Sequence, residues 1–386
     1  MPRSKKQVGR RVYGTGSVYQ RKGRKKHPWV ATFVEEDTGK RRYIQADSEK
    51  EANDLLQKAL YDQKHGTLAT GPRQTVKQYL EYWLEDVHKV AIKLTSYTLY
   101  RRNFNKHIIP TVGQIQLQKL RPNHVQALLA KKQQEGQSPQ SIRLIHRQLN
   151  AALNDAVKWN YISKNPCKGV ELPRNRPLEI HYLTMEQAQA LLEAAKRTQL
   201  ECLLAMAITT GMRKGELLAL HWKDVDLEAR RLKVRYTVMP LTSYGYVETE
   251  PKTDSSKRTI MLPAFVIDVL KQHRAALLEQ RLQAGTQWEE KGLVFPNATG
   301  NYTNPSTLHK HFKKLLKDAS LPDMRFHDLR HSAATLLLCM GIPAKVVQEI
   351  LGHSDIKMTM NVYSHVLPAM HQEVVDKMDN LFGKQH

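Results

Sequence analysis

The sequence predicts a multidomain, mainly α-helical protein with small β-sheets: an N-terminal three-stranded sheet plus helix, a four-helix bundle, and a mixed α/β final domain. Three observations predict it. At 386 residues the chain is too long for one ordinary core. Breaks at Gly71-Pro72 and at Pro173-Arg174-Asn175-Arg176-Pro177 read as linkers, the second extended by its two prolines. The periodicity also changes at each break, from alternating to helical to mixed. These signals divide the chain into residues 1–66, a linker 67–73, residues 74–172, a linker 173–182 and residues 183–386.

Composition is globular, with 41% apolar and 25% charged residues. Net charge is +23, which calls for an anionic partner: DNA, RNA or an acidic membrane surface. No apolar run is long enough to span a bilayer, and the N-terminus lacks the apolar core of a signal peptide. Cys167, Cys202 and Cys339 lie far apart without metal-ligand spacing, and an odd count argues against a disulfide framework. A reduced, cytoplasmic protein without a metal is the expectation.

Taking the elements in order, Met1 to Lys26 holds ten Lys/Arg and no Asp/Glu, a basic arm. Within and after it come three β-like segments, Gly16 to Arg21, Trp29 to Glu35 and Arg41 to Ala46, with Asp37-Thr38-Gly39-Lys40 as a hairpin turn. Ser48 opens a helix with Glu51 completing a capping box; Ala52, Leu55, Leu56, Ala59 and Leu60 form its apolar stripe, and Gly66 ends it. Arg41 and Tyr43 alternate with Arg42 and Ile44, so one sheet face can be basic while the other packs on the helix. Lys25, Lys26, Arg41 and Arg42 are the candidate nucleic-acid contacts. A basic surface that merely maintains solubility is the alternative.

Residues 74 to about 170 are helical throughout. Val76, Tyr79, Leu80, Trp83 and Leu84 form one stripe and Tyr97, Tyr100, Phe104 and Ile108 a second. Val125, Leu128 and Leu129 follow Pro122, a good first-turn residue, and Ile142, Ile145, Leu149, Ala152, Leu153 and Ala156 follow Ser138-Pro139. Four helices in this length make a compact bundle. Its basic residues are either a solvated face or a nucleic-acid surface.

The final domain opens at Thr184 with Gln187 completing a capping box, and Met185, Ala188, Leu191, Leu192 and Ala195 face its core. One β-like insert, Leu232 to Leu262, interrupts its helices. The apolar run Leu203 to Ile208 stops at Gly211, and Arg213 starts a new helix with Leu217, Leu218 and Leu220 inward. His327 and Arg330, at i and i+3, share one side of a helical turn and can meet one phosphate. A further short helix ends at Gly352, so His353 emerges beyond it. Tyr363 falls in helical phase with Ile356, Met360 and Leu367 and, taken alone, reads as a core aromatic. Paired guanidinium N–H donors match paired phosphate oxygens, histidines move protons, and a tyrosine can be a covalent nucleophile.

Together, Thr210-Gly211-Met212-Arg213-Lys214-Gly215-Glu216, His327-Asp328-Leu329-Arg330-His331, Leu351-Gly352-His353-Ser354 and a tyrosine ten residues after that histidine resemble the tyrosine recombinase (phage integrase) family, over roughly Leu183 to Val366. By that resemblance Arg213 and Arg330 are the phosphate-clamping arginines, His327 and His353 the active-site histidines, and Tyr363 the nucleophile. Pro251-Lys252-Thr253-Asp254-Ser255-Ser256-Lys257-Arg258 matches the family's lysine hairpin, making Lys252 the candidate acid and Lys257 a weaker rival. Glu216 matches an acidic supporting position.

The resemblance implies site-specific recombination through a 3′-phosphotyrosine and a Holliday junction, integrating and excising a phage or conjugative element, without cofactor. It further implies an arm-binding N-terminal module, a helical core-binding (SAM-like) domain and a catalytic domain working as a homotetramer on double-stranded DNA. An excisionase, a host DNA-bending protein and a place in the nucleoid of a bacterial host are further expectations of the resemblance. A type IB-like topoisomerase and a catalytically inactive DNA-binding regulator are the alternatives.

Overall fold

The computed structural model describes residues 16–21, 23, 26–35, 39–64, 72–174, 182–241, 244–250, 257–352, 355–356 and 359–360. By internal contacts the chain forms two units, Met1–Arg176 and Pro177–His386. The first unit contains two separate cores, one per module.

Strands β1 (Ser17–Gln20), β2 (Trp29–Val34) and β3 (Arg41–Ala46) form an antiparallel meander, with Ser17 opposite Thr32 and Thr32 opposite Tyr43. Ala31, Phe33 and Ala46 of the sheet pack on Ala52, Leu56 and Ala59 of α1 (Glu49–Lys64). The cap differs in detail from the expected box. Glu51 donates its N–H to Ser48 Oγ at 3.1 Å, but its carboxylate accepts from Asp47 N at 2.9 Å, one residue before Ser48. Gly66, the expected stop, lies outside the described residues.

The bundle consists of α2 (Val76–Tyr82), α3 (Leu94–Asn103), α4 (Ile109–Val112), α5 (Pro122–Gln134) and α6 (Pro139–Lys158). Both expected aromatic stripes face the core, with Tyr100 half-buried and the rest buried, yet the helices that carry them change pitch. α2 continues as a π-helical segment over Trp83–His88, and α3 through another, Phe104–Ile108, into α4. The wider turn brings His88 to 4.1 Å, centroid to centroid, from the Trp83 ring, a stacking that i,i+4 spacing would not give. Ile142, Ile145, Leu149 and Leu153 of α6 are all 2% exposed or less, each worth roughly 1.5–3 kcal/mol of burial.

In the second unit, α7 (Met185–Ala195) starts from the expected Thr184–Gln187 box. Met185, expected in the core, is instead 50% exposed, because its first-turn position lies off the Ala188–Leu191–Ala195 stripe. α8 (Glu201–Thr210) is nearly all buried, and α9 (Lys214–Leu218) follows it. The β insert begins earlier than expected and is two sheets. β4 (Val225–Asp226), β5 (Arg231–Val234) and β8 (Arg258–Met261) form one; the hairpin β6 (Thr237–Leu241) and β7 (Gly245–Thr249) forms the other. α10 (Ala264–Ala284), α11 (Pro305–Asp318), α12 (Asp328–Cys339) and α13 (Ala344–Leu351) complete the unit. No helix among the described residues is long and apolar enough to cross a membrane.

Candidate active site

The site is built where α8 ends. Gly211 adopts the left-handed conformation, φ +58°, which stops α8 and turns the chain into α9. A Cβ there would collide with Leu351 Cδ2, so the corner and α13 pack at the distance only glycine allows. Arg213 is the N-cap of α9. Its backbone N–H donates to Glu216 Oε2 at 3.0 Å, its Nη1 to Glu216 Oε1 at 2.7 Å and its Nη2 to the Gly352 carbonyl at 3.4 Å.

Glu216 is 3% exposed and shared. Arg258, on β8, donates from Nη2 to Glu216 Oε2 at 3.0 Å and from Nε to the Ile350 carbonyl at 2.7 Å. One carboxylate therefore joins two guanidiniums, and each guanidinium also holds a carbonyl at the end of α13. Burial acts to raise the Glu216 pKa, but Arg258 and Arg213 more than offset it and hold the group below the usual carboxylate range.

Arg330 comes from the opposite side, on α12. It is 4% exposed and donates from Nη1 to the Gly211 carbonyl at 2.7 Å, the carbonyl that the left-handed turn leaves without a helical partner. Its Nη2 is buried and has no hydrogen-bond acceptor among the described residues. Burial and the charge of Arg213 push Arg330 down to about 9, still protonated at neutral pH. Three arginines thus surround one carboxylate, an excess of positive charge that an anion would neutralise.

His327 is the residue before α12 rather than on it, with its ring 5.4 Å from that of His331. Loss of hydration, together with His331 and Arg330, pushes His327 down to about 4, so it is neutral at neutral pH. Asp328 fixes this turn: its carboxylate accepts from Arg325 N at 2.8 Å and from Arg325 Nη2 at 2.7 Å.

Arg213, Glu216 and Arg330 are therefore brought together, and His327 stands three residues before Arg330. Lys252, His353, Tyr363 and Lys25 lie outside the described residues. Lys257, the rival to Lys252, pairs with Glu250 at 2.6 Å. Arg258 was not among the expected site residues. Its signal was its phase, since it shares the inward parity of Ile260 on β8 and a charged residue there requires a buried partner. In the N-terminal sheet, Arg41 and Tyr43 are exposed on the open face, whereas Arg42 lies on the other face and pairs with Glu35. The two arginines do not share one basic surface, because successive strand residues point oppositely.

The phage integrase family model matches residues 181–370, and the model of the phage integrase N-terminal SAM-like domain matches residues 75–133. A tyrosine recombinase XerC-like protein of Caldanaerobacter subterraneus subsp. tengcongensis is 31% identical over 384 residues, covering 94% of this chain and 98% of that protein. The chain belongs to the tyrosine recombinase family. The recombinase is a DNA strand transferase acting in site-specific recombination. Its fold matches a Tn1549 transposon integrase in complex with transposon right end DNA, at TM-score 0.65 and 23% identity, over 78% of this chain and 100% of that one. It also matches a lambda integrase tetramer bound to a Holliday junction, at TM-score 0.55 and 17% identity, over 92% of this chain and 96% of that one.

Proposed function

We propose that the Arg213–Glu216–Arg258–Arg330 cluster is the recombinase's scissile-phosphate site. The observation that carries this is Arg330 Nη2, a buried guanidinium donor without an acceptor among the described residues, beside a cluster in which the described residues set three arginines against one carboxylate. A phosphodiester repels nucleophiles by its own charge. Arg213 and Arg330 bind its non-bridging oxygens and stabilise the additional charge of the five-coordinate transition state, each preorganised donor contributing ~3–4 kcal/mol. Glu216 and Arg258 do not touch the phosphate; they hold Arg213 and the end of α13.

Tyr363 attacks the phosphorus, forming the 3′-phosphotyrosine and releasing the 5′ oxygen, which Lys252 protonates as general acid. Tyrosine has a reference pKa of about 10, so a base is needed during attack; His327 has a free ring nitrogen at neutral pH, and it can take that proton once the bound phosphate's negative charge raises its pKa from about 4. His353 donates to the phosphate. A 5′ hydroxyl from another strand then reverses the step with the new partner.

A nicked suicide substrate tests the assignment. Wild type should trap covalently and Tyr363→Phe should not; equal trapping by both would remove Tyr363 from the role.

Exchange between two duplexes needs four such sites. A homotetramer on DNA therefore follows, with residues 1–66 on arm sites and 74–172 and 183–386 clamping the core site in a bacterial cell, and with an excisionase and a host DNA-bending protein as partners that set direction. The tail Met370, Val374, Met378, Leu381 and Phe382 has helical apolar spacing and is assigned to docking on a neighbouring subunit. Deleting the residues after Ala369 should abolish strand exchange and spare single-strand cleavage. Intact exchange by the truncated protein would count against a docking role.

A further inference from the structure

The hairpin β6–β7 is seated on the body of the second unit along both of its strands. On the β6 side, a Cβ at Gly215 of α9 would collide with Thr237 Oγ1 and come within 2.9 Å of the Val238 carbonyl, so only glycine lets the strand lie this close. On β7, Tyr246 and Glu248 are two residues apart and share one face of the strand. The Tyr246 ring meets the Tyr302 ring at 5.4 Å between centroids, and Glu248 Oε1 lies 2.9 Å from His221 Nε2.

His221 belongs to the body. It bridges to Leu293, and its Nδ1 lies 3.0 Å from the Lys291 carbonyl. A carbonyl and a carboxylate only accept, so a ring protonated on both nitrogens donates to each. The His221 and Glu248 side chains are 12% and 25% exposed, so solvent and salt screen the pair less than an exposed one. Glu248 also accepts from the Tyr302 hydroxyl, whose pKa is raised first by burial and then by this carboxylate. One carboxylate on β7 thus meets two side chains of the body, and neither belongs to the phosphate cluster.

That strand leads toward the assigned general acid. β7 ends at Thr249, and Lys252 follows three residues later, at most ~11 Å of extended chain. The returning chain is held too: Lys257 pairs with Glu250 at 2.6 Å, and Arg258 donates to Glu216 at 3.0 Å. We infer that His221 and Tyr302 are positioning residues which, through Glu248, set where Lys252 meets the departing 5′ oxygen. This role rests on Lys252 being the general acid. It uses no group that touches the phosphate, so it separates leaving-group protonation from phosphate binding.

A substrate whose scissile 5′ oxygen is replaced by sulfur tests the role. On either substrate the Tyr363 oxygen bonds to phosphorus. With oxygen, the P–O bond breaks and the leaving oxygen takes a proton from Lys252. With sulfur, the P–S bond breaks and the thiolate keeps the electron pair without a proton, since a thiol of the cysteine kind ionises near ~8.5. Covalent trapping rates of the full-length protein are compared on nicked duplexes of both kinds. A misplacement of ~1 Å costs on the order of 10²-fold. Glu248→Ala should therefore trap about 10²-fold slower than wild type on oxygen and close to the wild-type rate on sulfur. Glu248→Gln keeps a hydrogen-bond partner for His221 and Tyr302 and should recover most of the rate on oxygen. Tyr302→Phe removes one hydroxyl and should show the same selective loss to a smaller extent. Lys252→Ala should be slow on oxygen and fast on sulfur. If it is, while Glu248→Ala and Tyr302→Phe lose equally on both substrates or lose nothing on oxygen, the positioning role is overturned and the acid assignment stands. If Lys252→Ala is slow on sulfur as well, or fast on oxygen, the acid assignment fails and the positioning role with it.

Discussion

At the scale of single residues, His327 shows how burial and neighbouring charge select a protonation state. Its pKa is pushed from the ordinary 6.5 down to about 4, so the folded protein keeps it neutral where the unfolded chain would protonate it. The sign follows directly. Stability from the neutral form is fully present above 6.5 and is lost as pH falls through the window from 6.5 to about 4, because only the unfolded chain takes up the proton there. His273 and His331 are lowered as well, mainly by burial, and act in the same sense. His327→Gln should therefore flatten part of the decline in urea midpoint between pH 7 and pH 5. Identical pH slopes in variant and wild type would show that His327 titrates normally. The same lowering makes the free ring a weak base, so its part in taking the Tyr363 proton depends on the phosphate's negative charge being in place.

At the scale of elements, the cluster is a joint between α9, β8, α12 and α13, and Glu216 is its centre. Glu216→Gln keeps the shape but leaves Arg213, Arg258 and Arg330 without a counter-charge. Breaking a buried ion pair on one side costs about 3–5 kcal/mol, so thermal unfolding of the second unit should move to clearly lower temperature. Added sulfate should recover more of the loss in the variant than in wild type, since it supplies the missing negative charge; no difference in either measurement would show that the brace carries no stability. Local features of these elements were legible in the sequence. The Thr184–Gln187 box, the glycine stops at Gly211 and Gly352 and the α6 stripe each depend on residues a few positions apart. The brace was not legible, because Glu216 meets a residue 42 positions away and Arg330 a carbonyl 119 positions away. Only packing decides such pairings. The π segments of the bundle escaped for a related reason: apolar spacing reads as a stripe at either pitch, and the tertiary stacking of Trp83 on His88 accompanies the wider one. Met185 failed at an element end, where periodicity has least to constrain it.

At the scale of the whole molecule, the question is how the charge of +23 is divided among the parts. Residues 1–66 carry sixteen Lys/Arg against eight Asp/Glu, a net +8, so about a third of the excess sits on one small module. That module has its own core, formed by Ala31, Phe33, Ala46, Ala52, Leu56 and Ala59, and the bundle has another. Separate cores mean that removing the first need not expose the second. A chain beginning at residue 67 should therefore unfold at nearly the temperature of the corresponding transition in the full protein. Its affinity for duplex should depend less steeply on salt, the slope falling by about 0.9 for every phosphate the shortened chain no longer neutralises. Covalent trapping on a nicked core substrate should persist, since every residue assigned to strand transfer lies beyond position 210. If the truncated chain bound duplex with an unchanged salt slope, the N-terminal module would touch no phosphates, and its basicity would be a matter of solubility. If it also failed to trap, the module would be needed for the site itself, and the arm-binding assignment would have to be replaced by a direct role at the core.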